Sequence, residues 1–431
     1  MSTPSGPTAP ASQPAVDVTV LKTPKGQEIW YVHSDVVPLV ALSFNFEGGG
    51  AHDTPERIGT TMMMASLLDE GAGEYDSETF QDRLAERAID LSFDASLDAV
   101  FGSLRALENH ADEAFGLLRL ALTKPRFDAP AVERIRSQFI SIVRQQQTDP
   151  SSIASDLFMA KAFAGHPYAY PTTGTLETIP AITREDLEAA FRRSVRKGRI
   201  KIAAAGSLAP ERLMRLVDDV FGDLPAEETL TDIPVLMPAN RGDIFVSELD
   251  VPQSVIRFAL KGVPRADPDF IPAYVLNHIF GGGSFTSRLF HEVREKRGLA
   301  YNAGSGLSTY RCASLLNGYT ATKNERVQEC LDVIADVIEN LKTDGVTAEE
   351  LQKAKDYLTG SYLLAFDTSS KIARQLSGLA FEGLGVEYLT ERNTLINSVT
   401  EADLRRVGER IFADGVLLSV IVGKPRELRK K

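Results

Sequence analysis

The sequence predicts an α+β fold made twice over: two similar domains, each an antiparallel-rich sheet with helices packed on one face. Three observations lead there. At 431 residues the chain is too long for one core of usual size and suits two domains of about 200 residues. It repeats itself at an offset of about 214–217 residues. Within each repeat, strand and helix signals mix without regular alternation, which disfavours a parallel doubly wound sheet.

Residues 1–17 are a Pro/Ser/Thr/Ala-rich tail, without the charged and apolar regions of a secretion signal, and read as disordered. The first domain is set at 18–224. Val37 to Gly48 reads V-P-L-V-A-L-S-F-N-F-E-G, and Val251 to Gly262 reads V-P-Q-S-V-I-R-F-A-L-K-G. Both are strands by their β-branched and aromatic content and their Pro and Gly boundaries. Ile58 to Gly71, I-G-T-T-M-M-M-A-S-L-L-D-E-G, reads as a short buried helix. Thr183 with Asp186, and Thr400 with Asp403, are helix starts in which hydroxyl and carboxylate meet free N–H groups. Apolar strands follow, from Ile200 to Gly206 and from Val416 to Gly423. Residues 225–242, with three prolines and a cluster of acids, read as a linker. The second domain is set at 243–425 and a basic tail at 426–431.

Composition excludes several functions. The formal charge is −12 and the pI about 5.2, which argues against nucleic acid as a partner. No run approaches the ~20 apolar residues of a membrane span. Two cysteines, Cys312 and Cys330, exclude a disulfide framework and read as free thiols, with one bridge as the alternative. No two of the six histidines lie three to five residues apart, so no helical zinc pair is present. There is no nucleophile elbow and no phosphate loop. The run Gly281-Gly282-Gly283 reads as a flexible hinge or a close backbone approach.

Ser284 to Tyr301 carries the densest signal. Ser284 or Thr286 caps a helix that Gly298 ends, with Leu289, Phe290 and Val293 facing inward. Arg294 sits at the margin of that stripe, and Tyr301 falls just past the glycine. From the residues alone, this is either an exposed arginine beside a half-buried tyrosine, or a planar cation and a phenol offered to a peptide carbonyl.

F-G-G-G-S-F-T-S-R-L-F-H-E-V-R-E-K-R-G-L-A-Y resembles the second half of the insulinase-like zinc metallopeptidases, the group of pitrilysin and the mitochondrial processing peptidase. So do V-P-L-V-A-L-S-F-N-F-E-G-G-G, H-P-Y-A-Y-P-T-T-G-T and both Thr-x-x-Asp-Leu starts, and the resemblance runs from Val18 to Pro425. It implies a clamshell of two homologous halves around an extended peptide. Active members hold zinc through H-x-x-E-H. Here that motif aligns with Met62, Met63, Met64, Ala65 and Ser66, and a distal glutamate with Ile142 in the helix 131–147. A thioether, a methyl group and a hydroxyl replace ligand, base and ligand, so no zinc is expected in this chain.

The resemblance further implies an inactive subunit that lends Arg294 and Tyr301 to the zinc site of an H-x-x-E-H partner, with Gly281, Gly282 and Gly283 as a mobile loop near the seam. Zinc is then expected in the partner and the substrate is an extended peptide. The alternative is a structural or peptide-binding scaffold with no part in catalysis. Bacterial relatives of this size point to the periplasm, or to the cytoplasm if Met1 is the native start.

Overall fold

The computed structural model describes residues 16–226, 230–236 and 242–429. Two mixed sheets organise it. The first contains β1 (Thr19–Lys22), β2 (Glu28–His33), β3 (Leu39–Glu47), β4 (Asp90–Ala95), β5 (Ala99–Leu107) and β6 (Ile200–Gly206), in the order β1-β2-β6-β3-β5-β4. The second contains β7 (Asp243–Glu248), β8 (Gln253–Lys261), β9 (Ala303–Tyr310), β10 (Ala313–Lys323) and β11 (Leu418–Gly423), in the order β7-β11-β8-β10-β9.

Without β1, the first order is the second. The directions repeat as well: β2 runs parallel to β6 as β7 does to β11, and the remaining pairs are antiparallel. The repeated sequence segments are the central strands β3 and β8. Phe44 of β3 lies opposite Gly102 of β5, and Phe258 of β8 opposite Gly318 of β10. In both pairs a Cβ on the glycine would collide with the facing ring. Gly318→Ala is therefore expected to cost about 1–3 kcal/mol through overpacking, read as a lower urea midpoint. Gly306→Ala on β9, with open space around its Cβ position, serves as the control and should shift the midpoint little.

Each sheet has one face on helices of its own half. The first core gathers Phe44, Phe46, Leu118, Phe139 and Phe221, and the second Phe258, Ile334, Val407 and Phe412. The opposite faces are not left open: each receives a helix from the other half. Helix Pro150–Ala162 brings Ala154 and Phe158 against Val420 and Val422 of β11. Helix Ser369–Phe381 brings Leu376 and Ala380 against Trp30, Val32, Ala203 and Ala205. Ser43 and Ser377 close this contact with hydroxyls 2.8 Å apart. Each half thus lends a helix to the other's sheet. The sign of it is β6, whose last five residues are all buried, as a strand covered on both faces must be.

The capping boxes at Thr183/Asp186 and Thr400/Asp403 form with both reciprocal hydrogen bonds. Part of the linker lies outside the described residues. The segment 230–236 takes no regular structure and is pinned by side chains. The His166 ring bonds the Pro234 carbonyl at 2.9 Å, and the Cys312 thiol donates to the Ile233 carbonyl at 3.3 Å. Cys312 and Cys330 are both free thiols.

Candidate functional site

The methionine segment forms helix Thr60–Ala65. Gly59, at φ 96°, reverses the chain into it, and no residue caps it from Gly59 itself. Asp53 does so from outside. Its carboxylate accepts from the Thr61 backbone N–H at 3.0 Å and from the Thr61 hydroxyl, and pairs with Arg193 at 2.9 Å. The Asp53 side chain is 2% exposed, and burial raises its pKa against the opposing pull of Arg193 and Thr61.

Met63, Met64 and Ala65 are fully buried, while Met62 is only partly buried against the core. The Ser66 hydroxyl donates to the Met62 carbonyl at 3.1 Å, so it serves its own helix end. Ile142, in helix Ala129–Gln146, is 42% exposed. A thioether, a buried methyl group, an engaged hydroxyl and a sec-butyl chain do not fit zinc. No group of three or more His, Cys, Asp or Glu side chains among the described residues could hold a metal ion.

Just past this helix, burial pushes the Asp69 pKa up to about 6. The folded state therefore binds a proton that the unfolded chain, with its ordinary value near 3.8, does not. This group makes the protein more stable as pH falls from about 6 toward 3.8. Asp69→Asn should raise the urea midpoint at pH 8 and change it little at pH 4.

Beside the helix lies a cavity of about 700 Å³ that includes Ser66, Asp90 and Asp94 of the edge strand β4, Arg105, and Arg374 from the crossing helix. Its floor is the polar face of β3, β4 and β5.

Arg294 and Tyr301 are elsewhere, and together. The helix that carries Arg294 starts at Ser287, not at Ser284 or Thr286: the Ser287 hydroxyl accepts from the Phe290 N–H at 3.4 Å. Ser284 instead opens a separate 3-10 turn, Ser284–Thr286, at φ 47°. Helix Arg288–Phe290 widens into a π-helical turn, His291–Glu295. Leu289, Phe290 and Val293 are buried as the apolar stripe requires. Arg294 then lies with its guanidinium 4.8 Å over the Phe290 ring and 5.8 Å from that of Phe285. Gly298, at φ 58°, turns the chain, and its N–H bonds the Arg294 carbonyl at 2.9 Å.

After the turn, two β10 threonines hold the segment before β9. Thr322 donates to the Leu299 carbonyl at 2.7 Å and Thr320 to that of Asn302 at 2.9 Å. Tyr301 sits between these anchors and is 83% exposed, not half-buried. Its main chain is fixed while its phenol is free.

Arg294 and Tyr301 line one cavity of about 380 Å³ with Gln253, Lys323 and Arg326. Glu329 neutralises Arg326, but neither Arg294 nor Lys323 forms an ion pair among the described residues. The cavity is cationic and suits an acceptor oxygen. Lys323 and Gln253 face each other across β8 and β10, a juxtaposition set by strand register that the sequence reading did not find. Every residue of this cavity comes from the second half, and the Ser66 cavity contains none of them.

The glycine run is helical rather than an irregular loop. Gly281 and Gly282 close a π-helical turn, His278–Gly282. A Cβ at Gly281 would meet Ser305 and Leu289, and one at Gly282 would meet Asn277. Close backbone approach accounts for both positions.

Residues 181–358, which include Arg294 and Tyr301, match the family model described as the peptidase M16 inactive domain. A crystal structure of a peptidase M16 inactive domain from Pseudomonas fluorescens superposes with a TM-score of 0.88 at 27% identity, covering 96% of this chain and 99% of that one. Over nearly its whole length the chain is thus similar to peptidase M16 proteins. This is the insulinase-like group that the sequence resembles. Among its relatives, a Helicobacter pylori protein named non-peptidase homolog YmxG is 24% identical over 89% of this chain and 88% of its own length. A Schizosaccharomyces pombe protein named probable mitochondrial-processing peptidase subunit beta is 25% identical over 96% of this chain and 93% of its own. The M16 domain matched here is thus the inactive one, and helix Thr60–Ala65 carries no His, Cys, Asp or Glu.

Proposed function

We propose that this chain is the non-catalytic, substrate-binding subunit of a heterodimeric zinc metallopeptidase. In this reading it lends Arg294 and Tyr301 to the zinc site of an H-x-x-E-H partner. The observation that carries the reading is the pair itself: an unpaired guanidinium and a free phenol line one cationic cavity, on a backbone held by Gly298, Thr320 and Thr322. Amide hydrolysis develops negative charge on the carbonyl oxygen, and preoriented donors at a water-excluded seam stabilise it. A cavity built wholly from the second half, away from the degenerate motif, favours action on another chain's metal. The relative named as a processing-peptidase subunit supports a peptidase complex as the setting.

An extended peptide bound along the edge strand β4 would be recognised mainly through its main chain. The zinc belongs to the partner. The periplasm is inferred from the family resemblance alone.

Purified alone, the chain is expected to retain no stoichiometric zinc and to hydrolyse no peptide. It should co-purify with a co-expressed H-x-x-E-H subunit. A stable homodimer that captures no such subunit would favour the scaffold reading instead.

A further inference from the structure

A third cavity, of about 460 Å³, shares Arg374 and Gly378 with the Ser66 cavity. Its wall carries three arginines, Arg265, Arg374 and Arg392, against one carboxylate, Glu382. Glu382 neutralises Arg265 at 2.7 Å. Arg392 is 6% exposed and has no acidic partner among the described residues. It stacks 4.0 Å over the Tyr362 ring and donates to the Leu358 carbonyl and to Asn393, both at 3.1 Å. Arg374 forms no ion pair among the described residues either.

Tyr362 supplies the deciding observation. It is 9% exposed, and its buried hydroxyl has no hydrogen-bond partner among the described residues. Burial pushes its pKa up to about 12, so the group is an O–H donor at neutral pH. A buried donor left unmet costs about 1–3 kcal/mol. The unneutralised guanidinium of Arg392 over the Tyr362 ring, with that of Arg374 on the same cavity wall, points to an anionic acceptor, and the planar fork of arginine matches a carboxylate. Tyr274, Tyr388 and Phe270 add apolar wall for the rest of a ligand, in a volume within the usual range for small-ligand sites.

We propose that this cavity binds a carboxylate of the bound peptide, at its C-terminus or on an acidic side chain. The inference rests on the peptide-binding reading above, since Arg374 joins this cavity to the one floored by β3, β4 and β5.

Calorimetry on the full chain tests it with one synthetic peptide containing a single glutamate. The peptide is titrated as the free acid, as the C-terminal amide, and with glutamine in place of glutamate. Loss of the bound carboxylate is expected to weaken Kd about tenfold or more, and the form that loses affinity tells the two sources apart. Arg374→Gln, at an exposed position, and Tyr362→Phe, which keeps the ring, should each erase the difference while thermal melting stays near that of the parent. Equal affinity for all three forms overturns the proposal but leaves the peptide-binding reading standing. A difference that persists in both variants also overturns it, as does binding of inorganic phosphate with no discrimination among peptides. No binding of any peptide overturns both. No zinc subunit is present, so failure to activate one is a separate result.

Discussion

Arg294→Ala or Tyr301→Phe, assayed in complex with a zinc subunit, is expected to cut kcat/KM by about one to three orders of magnitude. The loss should fall chiefly on kcat, because the donors act on charge that develops only in the transition state. Both residues can be changed without harm to the fold. Tyr301 is 83% exposed, so the phenylalanine variant removes one hydroxyl that bonds nothing among the described residues. Arg294 gives up contacts with Phe285 and Phe290, a loss of roughly 1 kcal/mol at a partly exposed site. Melting temperatures should therefore stay near the parent value. Arg297→Ala is the control. That arginine pairs with Glu292 on the same turn, lines no part of the Arg294 cavity, and should not alter turnover. Full activity of both Arg294→Ala and Tyr301→Phe would remove the pair's role.

Arg193→Ala is expected to destabilise the protein by about 3–5 kcal/mol, because it leaves the Asp53 carboxylate buried and unpaired. Asp53 is nearly inaccessible and fixes the start of the methionine helix through both donors of Thr61. The deficit should shrink as pH falls. Burial already raises the Asp53 pKa with Arg193 present, and removing the cation raises it further, so acid neutralises the stranded charge. Asp53→Asn in the Arg193→Ala background should recover part of the loss at pH 8. Urea midpoints for the two variants at pH 8 and pH 5 check this. An Arg193→Ala midpoint equal to the parent's at pH 8 would mean that the pair does not hold the helix.

Much of the architecture was legible because its causes are local. Thr-x-x-Asp caps form from four consecutive residues, and the repeated strands carry their own bounds in Pro and Gly. Even the Phe44/Gly102 and Phe258/Gly318 pairs are the same contact made twice. The exchange of helices between the sheets was not legible. The faces of Pro150–Ala162 and Ser369–Phe381 find their partners hundreds of residues away, and no local pattern names that partner.

The candidate site divides the same way. Arg294 and Tyr301 meet because one short turn at Gly298 joins them, which seven residues of sequence can encode. Lys323 joins them through the pairing of β9 with β10, and Gln253 through that of β8 with β10, and strand register is a property of the sheet. Ser287 was passed over as the cap because Ser284 and Thr286 offer the same chemistry nearby. Nothing in the sequence singles out Tyr362 or Arg392. Their meeting across two helical segments makes them a site candidate.

The most direct measurement is peptide turnover by a fixed amount of an H-x-x-E-H subunit titrated with this chain. Turnover should rise from near zero, saturate at one chain per zinc subunit, and vanish with chelator. Turnover by the zinc subunit that is unchanged across the titration, or chelator-insensitive hydrolysis by this chain alone, would contradict the account.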